Sequence, residues 1–261
     1  MGTIRPVSQR PRFLDRLPGA ASDFDRLAGI LGIAVGAGGL LYSITFVAYL
    51  SSGSRGTAEA SSLFLMLGGV AVIPVLVAVY QRLRSVEVGI ATTALLFGVI
   101  GAAAAAIHGA YDLANFVNPP SRLPIDAPNP ADPRGLGTFA LTGVALLLIG
   151  LLVRRGGALS RAFGVLAVVA GALFVYVYVG RLTILDPKNP AVLIPAVLSG
   201  FIVNPVVYVW LGFSLLGMEP SVRLRRPGGV GTAAPSSPPS PPPTQPTEPR
   251  PSGSEPTQPL P

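Results

Sequence analysis

Six long apolar runs, separated by short polar breaks, constrain this chain more than any motif in it. They lie at 27–50, 62–80, 88–110, 136–153, 162–180 and 191–216. A helix rises about 1.5 Å per residue, so about 20 consecutive apolar residues are needed to cross the hydrocarbon core of a bilayer. Every run is close to that length. A soluble surface helix carries a charged face, and several of these segments carry none. Composition agrees: charged residues make up 12% of the chain and mean hydropathy is +0.58, whereas soluble domains carry about 25% charge. The expected fold is all-α, a polytopic six-helix transmembrane bundle of the cell membrane.

Orientation follows from the arginines, because cytoplasmic segments retain positive charge. With the N-terminus inside, the inner segments hold fourteen basic residues, among them Arg26, Arg82, Arg84, Arg154, Arg155 and Arg161. The outer segments hold five: Arg55, Arg122, Arg134, Arg181 and Lys188. Seven acids lie inside and five outside, so the whole net charge of +7 falls on the inner face. Both termini are therefore expected in the cytoplasm, with anionic lipid as the partner of the basic loops. Nucleic acid is not needed to explain the charge.

Three domains are expected. Residues 1–21 form a polar, Arg-rich leader in which Pro6, Pro11 and Pro18 prevent a long helix. Ser22-Asp23-Phe24-Asp25 then has the S-x-x-D form of a helix start. The first apolar run is too long for a signal peptide and no A-x-A-like cleavage site follows it. Residues 22–218 are the transmembrane domain. Residues 219–261 are a Pro/Ser-rich cytoplasmic tail with almost no aliphatic side chains, so disorder with polyproline character is expected. Segments such as Pro238-Pro239-Ser240-Pro241 offer a ligand for proline-recognising domains, but a solvated low-complexity tail is the simpler reading.

Small residues mark the helix contacts. Gly32-Ile33-Ala34-Val35-Gly36 matches G-x-x-x-G; Gly101, Ala105 and Gly109 recur at spacing four, as do Ala167 and Gly171. Such stripes let backbones approach where no hydrophobic effect drives association. Packing within the bundle is the simpler reading of the first stripe, oligomerisation the alternative. Pro74, Pro195 and Pro205 should kink or locally break their helices.

Polar chemistry concentrates in Gly101–Gly135. Here a small-residue helix ends in the single histidine, His108, followed by Tyr111, Asp112 and Asn115, and then a proline-rich loop. His108 and Asp112 are four residues apart and share a helix face. Arg181 at the end of the fifth run reaches the same level, and Asn204-Pro205 in the sixth lies near mid-bilayer. His108, Tyr111, Asp112, Asn115, Arg181 and Asn204 are thus the candidate ligand-binding residues of an outward-facing polar pocket, with Pro119–Pro133 as its roof. The competing reading is an interfacial cap or structural hydrogen-bond network, since polar residues cost little near the interface. Arg181 has two candidate partners, Asp112 across the bundle or the local Asp186.

No catalytic residue, metal site or cofactor is assigned. Cysteine is absent, which excludes disulfides, thiolate metal sites and cysteine nucleophiles. One histidine leaves a metal with carboxylates for its remaining ligands. There is no P-loop, H-E-x-x-H or G-x-S-x-G elbow.

Arg26-Leu27-Ala28-Gly29-Ile30-Leu31-Gly32, the six-span layout and the short basic inner loops resemble uncharacterised bacterial integral membrane proteins of the domain-of-unknown-function type. The resemblance covers about residues 22–217 by hydropathy layout; it implies the fold and location, and no activity. Three functions remain open. The first is binding or translocation of a small-molecule solute through the outward pocket. The second is a scaffold recruiting proteins through the proline-rich tail. The third is an intramembrane enzyme using His108 and Asp112.

Overall fold

Each apolar run falls on one long helix in the computed structural model of the chain, which describes residues 22–119, 135–156, 159–184, 186 and 188–218. The helices are α1 (Asp23–Ser52), α2 (Arg55–Leu83), α3 (Val88–Val117), α4 (Leu136–Gly156), α5 (Arg161–Thr183) and α6 (Pro190–Leu215). All six are long and apolar enough to span a membrane. No strand occurs among the described residues. The leader, the loop 120–134 and the tail from 219 onward lie outside the described residues.

Local chemistry explains the boundaries. Ser22 caps α1 as its sequence suggests, its Oγ accepting from the Asp25 N–H at 3.0 Å. Glu87 caps α3 by accepting from the N–H groups of Gly89 and Ile90, and Asn189 caps α6 ahead of Pro190 at its first turn. Hydropathy alone placed a connection over 51–61, yet only Gly53 and Ser54 interrupt the helices there. Ser51 and Ser52 donate back to the Ala48 carbonyl, prolonging α1, and Gly53 ends it at φ +64°. Arg55 then pairs with Glu59 at 2.7 Å within the first turn of α2. Polar side chains that serve their own helix extend it beyond the apolar core.

The prolines act unequally. α2 runs unbroken through Pro74. In α6, Pro205 lacks an N–H and would crowd the preceding turn, and the backbone widens to a π-helix over Ser199–Val203, where the Asn204 N–H reaches the Ser199 carbonyl. α4 opens on a second π-helical segment, Leu136–Leu141.

Neighbours in sequence are neighbours in space: α1 packs on α2, α2 on α3, α3 on α4, α4 on α5 and α5 on α6. α6 returns to α1 through its second half, closing a six-membered antiparallel ring. The end where α1 begins is filled solid by Leu83, Leu152, Phe163, Leu211 and Leu215, each at most 3% exposed. Arg82 staples this end, donating to the Ser214 and Leu215 carbonyls at 3.1 Å and pairing with Asp25 at 3.5 Å. A cation there also complements the negative end of the α6 dipole.

The G-x-x-x-G stripe of α1 faces α6. A Cβ added to Gly32 would lie 3.0 Å from the Gly212 Cα and 3.2 Å from the Tyr208 carbonyl, and one on Gly36 would lie 2.8 Å from the Pro205 carbonyl. Those obstacles are backbone, so neither helix can yield without separating. Gly32→Val is therefore expected to cost about 1–3 kcal/mol by overpacking, read as a lower thermal midpoint in nanodiscs, with the oligomeric state by light scattering unchanged. A variant that dissociated an assembly at constant midpoint would place the stripe at a subunit interface instead.

Candidate functional site

The other end of the ring is hollow. A cavity of about 290 Å³ lies there, and all six helices contribute to its wall. α1 supplies Gly39, Tyr42 and Ser43; α2 Phe64 and Gly68; α3 Ala105 and His108; α4 Thr138 and Phe139; α5 Phe174 and Val177; α6 Ser199, Phe201, Asn204 and Tyr208. Both π-helical segments border it, through Thr138 and Phe139 in α4 and through Ser199, Gly200 and Phe201 in α6. Where the helical repeat widens, side chains rotate out of register with the ring, and π-bulges recur at functional sites for that reason.

Small residues create the space. α1 and α6 meet at the cavity floor through two reciprocal pairs, each a polar side chain seated on a bare glycine. The Asn204 amide lies against Gly39, where an added Cβ would come 2.5 Å from Nδ2. Four residues earlier on α6, Gly200 receives the Ser43 hydroxyl, 2.6 Å from where its Cβ would stand. Ser43 in turn donates to the Gly39 carbonyl at 3.0 Å, so it braces its own helix while facing its neighbour. On the opposite wall, Gly69 fits against the backbone of Ala102 and Ala106, and Gly109 against Met66 and Ser62.

His108 stands on the α3 wall with Nε2 3.2 Å from Asp112 Oδ2, the two side chains 19% and 31% exposed. The carboxylate one helical turn on fixes the imidazole and lies within electrostatic reach of Tyr42 across on α1. A tethered imidazole can exchange a hydrogen bond or a proton with a ligand. Among the described residues, no group of three or more His, Cys, Asp or Glu is placed to hold a metal.

Of the six residues expected to form the site, His108 and Asn204 line the cavity and Asp112 joins it through His108. The other three occupy other places. Tyr111 is 53% exposed on the outer surface of α3. Asn115 lies half-buried one turn beyond Asp112. Arg181 lies half-buried in the last turn of α5, with interactions of its own, while Asp186 accepts from the Lys188 N–H at 2.9 Å.

The polar character expected of the pocket is the main correction. Aromatic and aliphatic side chains dominate its wall, and polar groups stand at isolated points. Sequence reasoning placed the pocket by its ionisable residues, but of these only His108 lines the wall, with Asp112 behind it, while Tyr111 and Arg181 lie elsewhere. It also missed Tyr42, Ser199 and Tyr208. No sequence signal marked those three; the floor pairs alone had one, since Gly39 and Ser43 on α1, like Gly200 and Asn204 on α6, stand four apart.

The floor pairs give a direct test. Gly39→Ala displaces the Asn204 amide and should cost about 1 kcal/mol, whereas adding Asn204→Ala should relieve that cost. A double-mutant cycle of thermal midpoints should then show a coupling of at least about 0.5 kcal/mol; additive effects would separate the two residues. No family model, curated protein or solved structure matches this chain, and its site is defined by this geometry.

Proposed function

We propose that this protein binds a small, mainly apolar molecule in the cavity between its six helices. One observation carries this reading: every helix of the ring contributes to a single cavity at one end, while the other end is packed solid. A volume of about 290 Å³ is roughly twice that of an engineered apolar cavity that takes up benzene, so a ligand of about a dozen heavy atoms is the right size. The closed floor favours binding over passage. His108 and Asn204, at different points of an apolar wall, would orient the ligand by hydrogen bonds.

Filling the cavity tests the reading. Ala105→Leu projects a larger side chain into the space from α3 and should raise the unliganded midpoint, a gain of about 0.5–2 kcal/mol. It should also abolish the midpoint shift that neutral aromatic and alicyclic probes produce in the nanodisc-embedded protein. Wild-type protein indifferent to every probe, or a shift that survives Ala105→Leu, counts against the cavity as a binding site.

The proposed setting is the cell membrane, with the solid end in the cytoplasm and the cavity toward the opposite face. Supporting this, Arg26, Arg84, Arg154, Arg155 and Arg161 all lie exposed at the solid end, where anionic headgroups would receive them. The chain has no cysteine of its own, so single cysteines report cleanly. A membrane-impermeant maleimide on intact cells should label Ser54→Cys and leave Ser85→Cys untouched; the reverse pattern would invert the orientation. The scaffold reading depends on the tail, outside the described residues, and no observed contact favours it.

A further inference from the structure

The cavity wall is not equally closed all round. Lining residues from α2, α3, α4 and α5 are buried or half-buried. The exposed ones belong to two helices alone: Phe46, Val47 and Leu50 of α1, and Leu193 and Val197 of α6, between 38% and 66% exposed. A side chain that borders the cavity and is also exposed stands at its mouth. The backbone explains why the mouth lies there. Glycine contacts hold α1 against the second half of α6, the last of them at Ser43 and Gly200. Beyond that point the first segment of α6, Pro190–Leu198, packs on α5 instead, and a slit opens between it and α1. From Ser43 to Leu50 the slit runs about 10 Å along α1, at about 1.5 Å per residue.

This slit faces sideways. Its lips are apolar, and in helices that span a bilayer the medium outside Val47 and Val197 is lipid tail. Water-soluble compounds would meet hydrocarbon at that entrance. A molecule already dissolved in the bilayer would not.

A second observation bears on the ligand's own chemistry. Ser199, on the wall at the inner end of the slit, is 3% exposed, and its hydroxyl makes no hydrogen bond within the described protein. A buried hydroxyl without a partner is costly, and a ligand carrying a hydroxyl or carbonyl would supply one. A charged head is disfavoured at this depth.

We infer that the cavity takes a neutral, single-chain lipophile with one hydrogen-bonding oxygen, which enters sideways from the bilayer between α1 and the first segment of α6 and engages Ser199. This rests on the binding function proposed above. The test uses full-length protein in nanodiscs and a diazirine-bearing long-chain alkanol, with peptide mapping after photolysis. Labelling is expected in the segments around Phe46–Leu50 and Leu193–Phe201, and unlabelled alkanol should compete it away. Val47→Trp with Val197→Trp narrows the slit and should cut labelling several-fold at an unchanged thermal midpoint; Val197→Trp alone serves if the pair fails to fold. Ser199→Ala should weaken competition by the alkanol about five- to tenfold, the loss of one hydrogen bond, and leave competition by the matching alkane unchanged. Labelling that Ala105→Leu abolishes but the slit variants do not would keep the binding site and overturn sideways entry. Labelling that none of these variants alters would overturn both. Equal competition by alkanol and alkane would remove the oxygen from the ligand class.

Discussion

Direct contact between backbones at glycine holds these helices in place. In hydrocarbon a helix gains nothing by exchanging lipid tails for the leucines of a neighbour, so association depends on how closely two backbones can approach. α4 and α5 show the device most plainly. Gly143 and Gly171 face each other, as do Gly150 and Gly164, the two glycines of each helix standing seven residues apart. A Cβ added to Gly171 would stand 2.5 Å from the Gly143 carbonyl, and one added to Gly150 would stand 2.7 Å from that of Gly164. α2 and α3 repeat the arrangement through Gly69 and Gly109, and α1 and α6 through Gly32, Gly36 and Gly212. Ring order, helix tilt and the position of the hollow all depend on where these glycines fall.

Glycine contact also determines where the ring comes apart. On α1 the run of small residues toward α6 ends with Gly39, and the next contact places the Ser43 hydroxyl against Gly200. Bulky side chains follow, Phe46, Val47 and Leu50, and the helices no longer touch closely. On α6, the π-helical turn imposed by Pro205 falls at this same level. Closure at one end and separation at the other are two outcomes of one residue pattern. The Arg82 contacts with Asp25 and the α6 carbonyls lie at the closed end, so this polar staple reinforces the part already packed.

What the sequence made legible follows from this physics. Span number and helix type were readable because hydrocarbon thickness imposes a length and an apolar composition on every crossing segment. The Ser22 cap was readable because capping is a local interaction. The glycine stripes were visible too, but a stripe does not name its partner: Gly32 and Gly36 could have met a second copy as readily as α6. The hollow was not legible. It depends on side chains such as Tyr42, Phe139 and Phe174, which look like any other apolar filling until three-dimensional register turns them toward one point. Ionisable residues drew attention for a sound reason, since charge is costly in a bilayer. Near a helix end that cost falls, which is why Tyr111, Asn115 and Arg181 can lie away from the cavity at little penalty.

The hollow itself has an energetic consequence. Empty apolar space in a protein interior costs about 24 cal/mol per Å³. For a cavity of about 290 Å³ that amounts to about 7 kcal/mol, comparable with the whole stability of many domains, about 5–15 kcal/mol. A fully enclosed void of this size would be a heavy burden on a fold held together by close contacts. The lateral opening proposed above would remove most of it, because surrounding lipid chains could fill the space and restore dispersion contacts with the wall. With the lateral entry proposed above, lipid chains would occupy the cavity whenever no ligand is bound, and a ligand would have to displace them. Matching the wall's apolar surface gains such a ligand little over a lipid tail. Its advantage would have to come from the few polar points, His108 tethered by Asp112, the Asn204 amide and the Ser199 hydroxyl, so in the binding function proposed above those residues would carry the selectivity while the apolar wall sets the size.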